Sequence, residues 1–209
     1  MRESYLHAAT SAAALLSEPA VAAAWSRPSA LAKLTVGGLA AHLGRQVIRV
    51  VEVVDADPPG TAPVSLLDHY RRSAWVTAGL DEEPNVSVRD HSEADAKDGA
   101  AALQERVTGA LTSLRQKLPD QPADRVVELP WTRSALALDD FLTTRMLEIA
   151  VHSDDLAVSV GLHTPQLPAP VTDRVLDLLC RLAIQRHGPT AVLRTLSRSE
   201  RAPRTISAF

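Results

Sequence analysis

The chain has 209 residues and a formal net charge of −3; 45% of its residues are hydrophobic and 22% are charged. These values are typical of a single globular domain over residues 1–209, and they give no reason to expect nucleic acid or a membrane as the main partner. Cys180 is the only cysteine, which excludes an internal disulfide and a Cys-rich zinc finger. Because we find no convincing secretory signal and no apolar run of membrane-spanning length, we expect a cytoplasmic protein.

Helical periodicity, capping residues and proline positions divide the chain into helices. Predicted helices cover residues 3–17, 36–54, 66–80, 92–118, 140–160 and 170–187, with a short one from 189 onwards. Residues 81–89 are predicted to be a polar, proline-interrupted connection, and residues 125–129 a short strand or extended loop. Long helices with long connections and almost no strand signal predict an all-α four-helix bundle with short additional C-terminal helices.

The fifth predicted helix carries a polar stripe beside its apolar core face. At about 100° per residue, Arg145, Glu148, His152 and Asp155 form this stripe. Glu148 and His152 are four residues apart, so both side chains lie on one face and can reach one metal ion. The same spacing also occurs in surface pairs and in structural polar contacts, so the spacing alone leaves both interpretations open.

A firm metal site needs a third ligand from another helix, and His42 is the best candidate. It lies at the edge of the apolar stripe of the second helix, from which it can point into the bundle. Two imidazoles and one carboxylate suit zinc first, with nickel or iron as alternatives, and they leave a coordination position open. Asp155 is one turn beyond His152, where it can hold an imidazole by a hydrogen bond.

Two segments resemble signatures of the mycothiol-dependent maleylpyruvate isomerase family. They are Leu34-Thr-Val-Gly-Gly-Leu-Ala-Ala-His42-Leu-Gly, preceded by Trp25 and Pro28-Ser29, and Thr144-Arg-Met-Leu-Glu148-Ile-Ala-Val-His152-Ser-Asp-Asp155-Leu-Ala. The resemblance covers roughly residues 5–196. It implies a DinB-like four-helix bundle in which His42, Glu148 and His152 are the metal ligands.

The resemblance also implies mycothiol as a cofactor. The metal would lower the pKa of this thiol, and the thiolate would add to a small electrophile, giving either cis–trans isomerisation or S-transfer. The best-known isomerase of the family has a further C-terminal domain, whereas only about twenty residues follow Gly188-Pro189 here, so we expect a different electrophilic substrate. Cys180 lies in an apolar helical run and is not expected to be a nucleophile.

Arginines near the ligands are candidates to bind an acidic substrate or the thiol. They are Arg145 beside the ligands, and Arg71 and Arg72 on the third predicted helix; solvated surface arginines are an equal explanation for each. Nothing in the spacing of His69, His91 or His163 favours a role as a ligand.

Two other interpretations of the whole chain remain open. One is a non-catalytic bundle that binds a metal or a small molecule in a stress or resistance role, and the other is a bundle whose polar stripe is purely structural. In all of these interpretations we expect small-molecule partners rather than nucleic acid or a membrane, and a monomer or homodimer.

Overall fold

The structure is a computed structural model, and it describes residues 1–132 and 134–209. The helices are α1 (Arg2–Leu16), α2 (Pro19–Ala23), α3 (Val36–Asp55), α4 (Leu66–Arg72), α5 (Glu83–Asp95), α6 (Gly99–Lys117), α7 (Leu138–Val160), α8 (Ala169–His187) and α9 (Pro189–Ser197). Strands β1 (Val126–Leu129) and β2 (Ser134–Ala137) pair antiparallel just before α7. The segment predicted as a strand or extended loop is therefore one arm of a hairpin.

Helices α1, α3, α6 and α7 pack against one another and form the bundle. Their facing side chains are fully or almost fully buried, as for Leu39 and Leu43 of α3, Leu103 of α6, and Phe141 and Met146 of α7. Helix α5 packs on α3, and α8 packs on α7 and α1. The predicted all-α helical bundle with short C-terminal helices is confirmed. Within the two described ranges, no helix is both long enough and apolar enough to cross a membrane.

Helix α3 begins where its sequence signals predict. The Thr35 hydroxyl accepts a hydrogen bond from the backbone N–H of Gly38 at 2.9 Å, which satisfies one of the free donors of the first turn. Glycine at position 44 allows α6 to pack closely, because a Cβ there would lie 2.9 Å from the Leu103 side chain. The helix that carries His42 is therefore held at both its beginning and its middle.

The predicted third helix, 66–80, was too long. Helix α4 ends at Arg72, and a 3₁₀ turn over Ala74–Val76 follows. At the break, the Ser73 hydroxyl donates to the carbonyl oxygen of His69 at 2.8 Å, and the Ser73 backbone is extended. Local hydrogen bonds of this kind compete with helix continuation.

The prediction for residues 81–118 was wrong in two respects. The polar stretch 81–89 is not a connection, because α5 begins at Glu83 with a proline in its first turn, where a missing N–H costs no hydrogen bond. The predicted helix 92–118 is divided between α5 and α6, and Gly99 at the junction has a φ of +85° that favours glycine. Because helical periodicity continues on both sides of Gly99, the sequence pattern does not reveal the junction between the two helices.

Glu93 of α5 joins this helix to the beginning of α3. Its carboxylate accepts hydrogen bonds from the Thr35 backbone N–H at 2.7 Å and from the Thr35 hydroxyl at 2.9 Å. We expect Glu93→Ala to lower the free energy of unfolding by about 1–3 kcal/mol, because it leaves these donors without a charged acceptor. Urea unfolding measures the loss. The exposed Glu105→Ala on α6 is the control and should stay within about 0.5 kcal/mol of the parent protein; an equal loss in both variants would contradict the prediction.

Candidate metal centre

Helices α3 and α7 bring His42, Glu148 and His152 into one cluster. One ligand atom of each residue lies within 4.8 Å of the others. The Glu148 Oε2 atom is 3.4 Å from His42 Nε2 and 3.3 Å from His152 Nε2. The two imidazole rings are nearly perpendicular, with centroids 4.7 Å apart. The three residues that the sequence singled out as ligands therefore face one small volume, although 106 positions separate the first from the second.

Each imidazole is oriented by a hydrogen bond at its Nδ1 atom. His152 Nδ1 lies 3.0 Å from Asp155 Oδ2, and a carboxylate can only accept, so this nitrogen carries the hydrogen. His42 Nδ1 lies 3.3 Å from the hydroxyl oxygen of Ser92, which donates its own hydrogen to the Val88 carbonyl at 2.7 Å and therefore accepts from His42. Both bonds leave Nε2 as the atom available for a ligand role.

The electrostatics of the cluster suit a bound cation. Burial is the main cause that lowers the pKa of His42 to about 4, so this imidazole is neutral. Burial alone would lower the pKa of His152, but hydrogen bonds to Asp155 and Glu148 raise it to about 9. Burial alone would raise the pKa of Glu148, yet its hydrogen bonds with the two histidines hold it well below its ordinary value. The cluster thus stabilises a positive charge on His152, between the carboxylates of Glu148 and Asp155.

The donor set and its accessibility fit a divalent metal. Two imidazole nitrogens and one carboxylate oxygen are ligands that zinc, nickel and iron accept, and three ligands leave a coordination position open. The side chains of His42, Glu148 and His152 retain 14%, 14% and 17% of their accessible surface, so the cluster is not sealed from solvent. The arrangement is therefore suited to an open centre.

Arg145 lies one turn before Glu148 and is buried. Its Nη1 donates to Gln46 Oε1 at 2.5 Å, and its Nε donates to the Thr144 hydroxyl at 3.0 Å. The Gln46 amide in turn donates to the carbonyl oxygen of His42 at 2.9 Å. A chain of hydrogen bonds therefore connects Arg145 with the helical turn that carries His42.

The structure does not bring the other arginine candidates to the cluster. Arg71 and Arg72 are exposed on α4, and Arg71 pairs with Asp68. No hydrogen bond or ion pair joins Arg72 to the three ligand candidates within the described residues. Cys180 is half-buried on α8.

Among the other histidines, only His69 is buried. His91 and His163 are exposed. Burial, assisted by the charge of Arg145, lowers the pKa of His69 to about 4.

Sequence reasoning missed Ser92 and Arg49. Ser92 orients His42, but it was placed at the beginning of a helix and given no role. The missed signal is that Val88, Ser92 and Asp95 share one face of α5, which becomes visible only when 83–95 is recognised as a helix. Arg49 lies seven residues after His42, which places it on the same face of α3, two turns further along.

Asp155 and Ser92 hydrogen-bond to the two imidazoles, and replacing them tests whether these bonds support metal binding. We expect Asp155→Asn to weaken zinc binding about 10–100-fold, and Ser92→Ala about tenfold, because the imidazoles lose the groups that fix their orientation. Competition with a chromophoric chelator measures both affinities. Asp154→Asn is the matched control, since this neighbouring carboxylate is exposed and accepts from Thr164 instead. An unchanged affinity in Asp155→Asn would refute the expected role.

Comparison with known proteins gives one family match. The family described as "Mycothiol maleylpyruvate isomerase N-terminal domain" matches residues 5–157. This range includes most of α1, all of α3, α5 and α6, and the part of α7 that carries Glu148, His152 and Asp155. No curated protein and no solved structure matches the chain. Since the match covers well over half of the residues, the chain belongs to the family of the mycothiol maleylpyruvate isomerase N-terminal domain.

Proposed function

We propose that the protein is a divalent-metal-dependent enzyme that activates a low-molecular-weight thiol, mycothiol, for reaction with a small electrophile. The proposal is carried by one observation: the Nε2 atoms of two histidines and one carboxylate oxygen lie close together, while each Nδ1 is already used in a hydrogen bond. Family membership supports the choice of thiol. Zinc is the first choice of metal for this donor set, and nickel or iron are alternatives.

His42, Glu148 and His152 would hold the metal, which supplies a Lewis acid that lowers the pKa of a thiol in the open position. Asp155 and Ser92 keep the two imidazoles in the tautomers that present Nε2. Because α3 and α7 pack directly against each other, the distance between the histidines is fixed by the bundle rather than by a loop. The protein itself needs no nucleophile, and Cys180 is not required.

Two outcomes of thiol addition are compatible with such a site. When the electrophile is an electron-poor double bond, a sulfur–carbon bond forms, rotation follows, and expulsion of the thiol restores the double bond in the other isomer. When the electrophile carries a leaving group, the sulfur–carbon bond replaces the bond to that group, and the product is a thioether. We therefore propose isomerase or S-transferase activity.

The test combines metal analysis with product detection. Zinc-loaded protein is incubated with mycothiol and either 1-chloro-2,4-dinitrobenzene or a cis-configured unsaturated diketone, and mass spectrometry and NMR follow thioether and isomer formation. We expect faster turnover than with mycothiol alone, no acceleration by His152→Ala, and full activity in Cys180→Ser. Stoichiometric zinc with no mycothiol binding in calorimetry would contradict the proposal, and it would favour a non-catalytic metal-binding bundle.

A further inference from the structure

The facing stripes of α3 and α7 continue beyond the metal candidates toward the hairpin. Arg49 lies two turns after His42 on α3, and Arg145 lies one turn before Glu148 on α7. The guanidinium carbons of Arg49 and Arg145 lie 4.3 Å and 6.0 Å from the centroid of the Trp131 ring. Trp131 retains 36% of its accessible surface. Two cations therefore lie beside one aromatic ring that solvent can reach, and the more deeply buried of them is Arg145.

Within the described residues, no salt bridge joins either arginine to an acidic side chain. Arg45, on the same helix, pairs with Asp95 at 2.6 Å, which shows how the fold neutralises a neighbouring cation. By contrast, Arg49 makes no side-chain hydrogen bond or ion pair in the described part of the chain, and Arg145 donates only to the neutral oxygens of Gln46 and Thr144. Burial, and then the charges of Arg45 and Arg145, lower the pKa of Arg49 to about 10, against the opposite effect of the Glu52 and Asp95 carboxylates.

Contact with Trp131 does not by itself satisfy these groups. A cation–π contact stabilises the charge, but it leaves the N–H donors of the guanidinium without acceptors. Two like charges that are partly removed from water repel each other, and a bound anion relieves both the repulsion and the missing hydrogen bonds. A planar carboxylate fits best, because it can accept two parallel N–H bonds from one guanidinium.

We propose that Arg49, Arg145 and Trp131 form a carboxylate-binding subsite next to the candidate metal centre. At 1.5 Å of rise per residue, Arg145 lies about 4.5 Å along its helix from Glu148, and Arg49 lies about 10 Å along its helix from His42. In combination with the proposed function, on which this part rests, the subsite selects small electrophiles that carry a carboxylate a few bonds away from the reacting carbon.

The subsite is tested separately from metal and thiol chemistry. Succinate is titrated into metal-free and zinc-loaded protein, with tryptophan fluorescence and calorimetry as readouts. We expect binding in both forms, and an affinity about 10–100-fold lower in Arg49→Gln and in Arg145→Gln, because each removes a charged hydrogen-bond donor. Succinamide, which has the same length without charge, should not bind. Arg45→Gln is the matched control and should keep the affinity of the parent protein within a few-fold.

The succinate titration can overturn the proposed subsite in three ways. Unchanged succinate affinity in both glutamine variants, or no binding of succinate to the parent protein, overturns it. Binding that disappears on metal removal also overturns it, because the carboxylate then binds the metal, and the proposed function would still stand. If Arg145→Gln does not fold, Arg145→Lys, which keeps the charge but loses the planar donor pair, and Arg49→Gln carry the test. Loss of thiol activity with retained succinate binding would instead refute the proposed function alone.

Discussion

Replacement of His42 or His152 by alanine is expected to remove zinc from the purified protein. The proposed centre has only three protein ligands, so either variant leaves two, and a pair of ligands binds a divalent ion weakly at neutral pH. Groups that only orient a ligand change metal affinity about 10–100-fold, so loss of a ligand should cost more than about 100-fold. Elemental analysis should give about one zinc per chain in the parent protein and close to none in either variant.

The control for this experiment is His91→Ala. His91 lies on α5 near the cluster, is exposed, and hydrogen-bonds to the carbonyl oxygen of Ser87 in its own helix. Its replacement should leave the zinc content unchanged. Stoichiometric zinc in both His42→Ala and His152→Ala would show that the zinc is held elsewhere.

Zinc is expected to raise the unfolding temperature of the metal-free protein by roughly 10 °C. Zinc at about a thousand times its dissociation constant stabilises the folded state by about 4 kcal/mol. For a chain of this size, about 1 kcal/mol corresponds to 2–4 °C. Thermal unfolding followed by circular dichroism, with EDTA-treated protein as the starting point, measures this shift.

The same titration on His152→Ala distinguishes binding at the centre from other effects of zinc. The variant should unfold at a temperature that does not respond to zinc, and magnesium should leave the parent protein unchanged because its preferred ligands are oxygens. A zinc-induced rise of equal size in His152→Ala would contradict the assignment of the ligands.

The architecture was accessible from the sequence because the apolar residues of the four bundle helices recur at helical spacing. Thr35 marks the beginning of α3, and Gly161 follows the end of α7 in a left-handed conformation. Within these two helices the apolar residues recur at helical spacing. The errors fall between α4 and α6, where α5 is polar and short. Its stability comes from tertiary contacts, such as those of Glu93 with Thr35, which no local pattern announces.

The candidate site was accessible only in part. The spacing of Glu148 and His152 places both on one face of a helix, but spacing does not determine that His42 meets them, and the family resemblance supplied that link. Ser92 and the pair of Arg49 and Trp131 depend on which elements become neighbours in the folded chain. Partners of this kind come from three different elements, so single-helix periodicity cannot reveal them.

The separation of 106 positions between His42 and Glu148 has a consequence for when the proposed metal could bind. During synthesis, the first imidazole leaves the ribosome long before the other two ligands exist, and N-terminal segments begin to fold first. A complete proposed site therefore forms only after α7 is made and packs on α3. The identity of the bound ion would then depend on the metals available at that late moment, because the intrinsic preference of such ligands among divalent ions follows a fixed series with copper at the top.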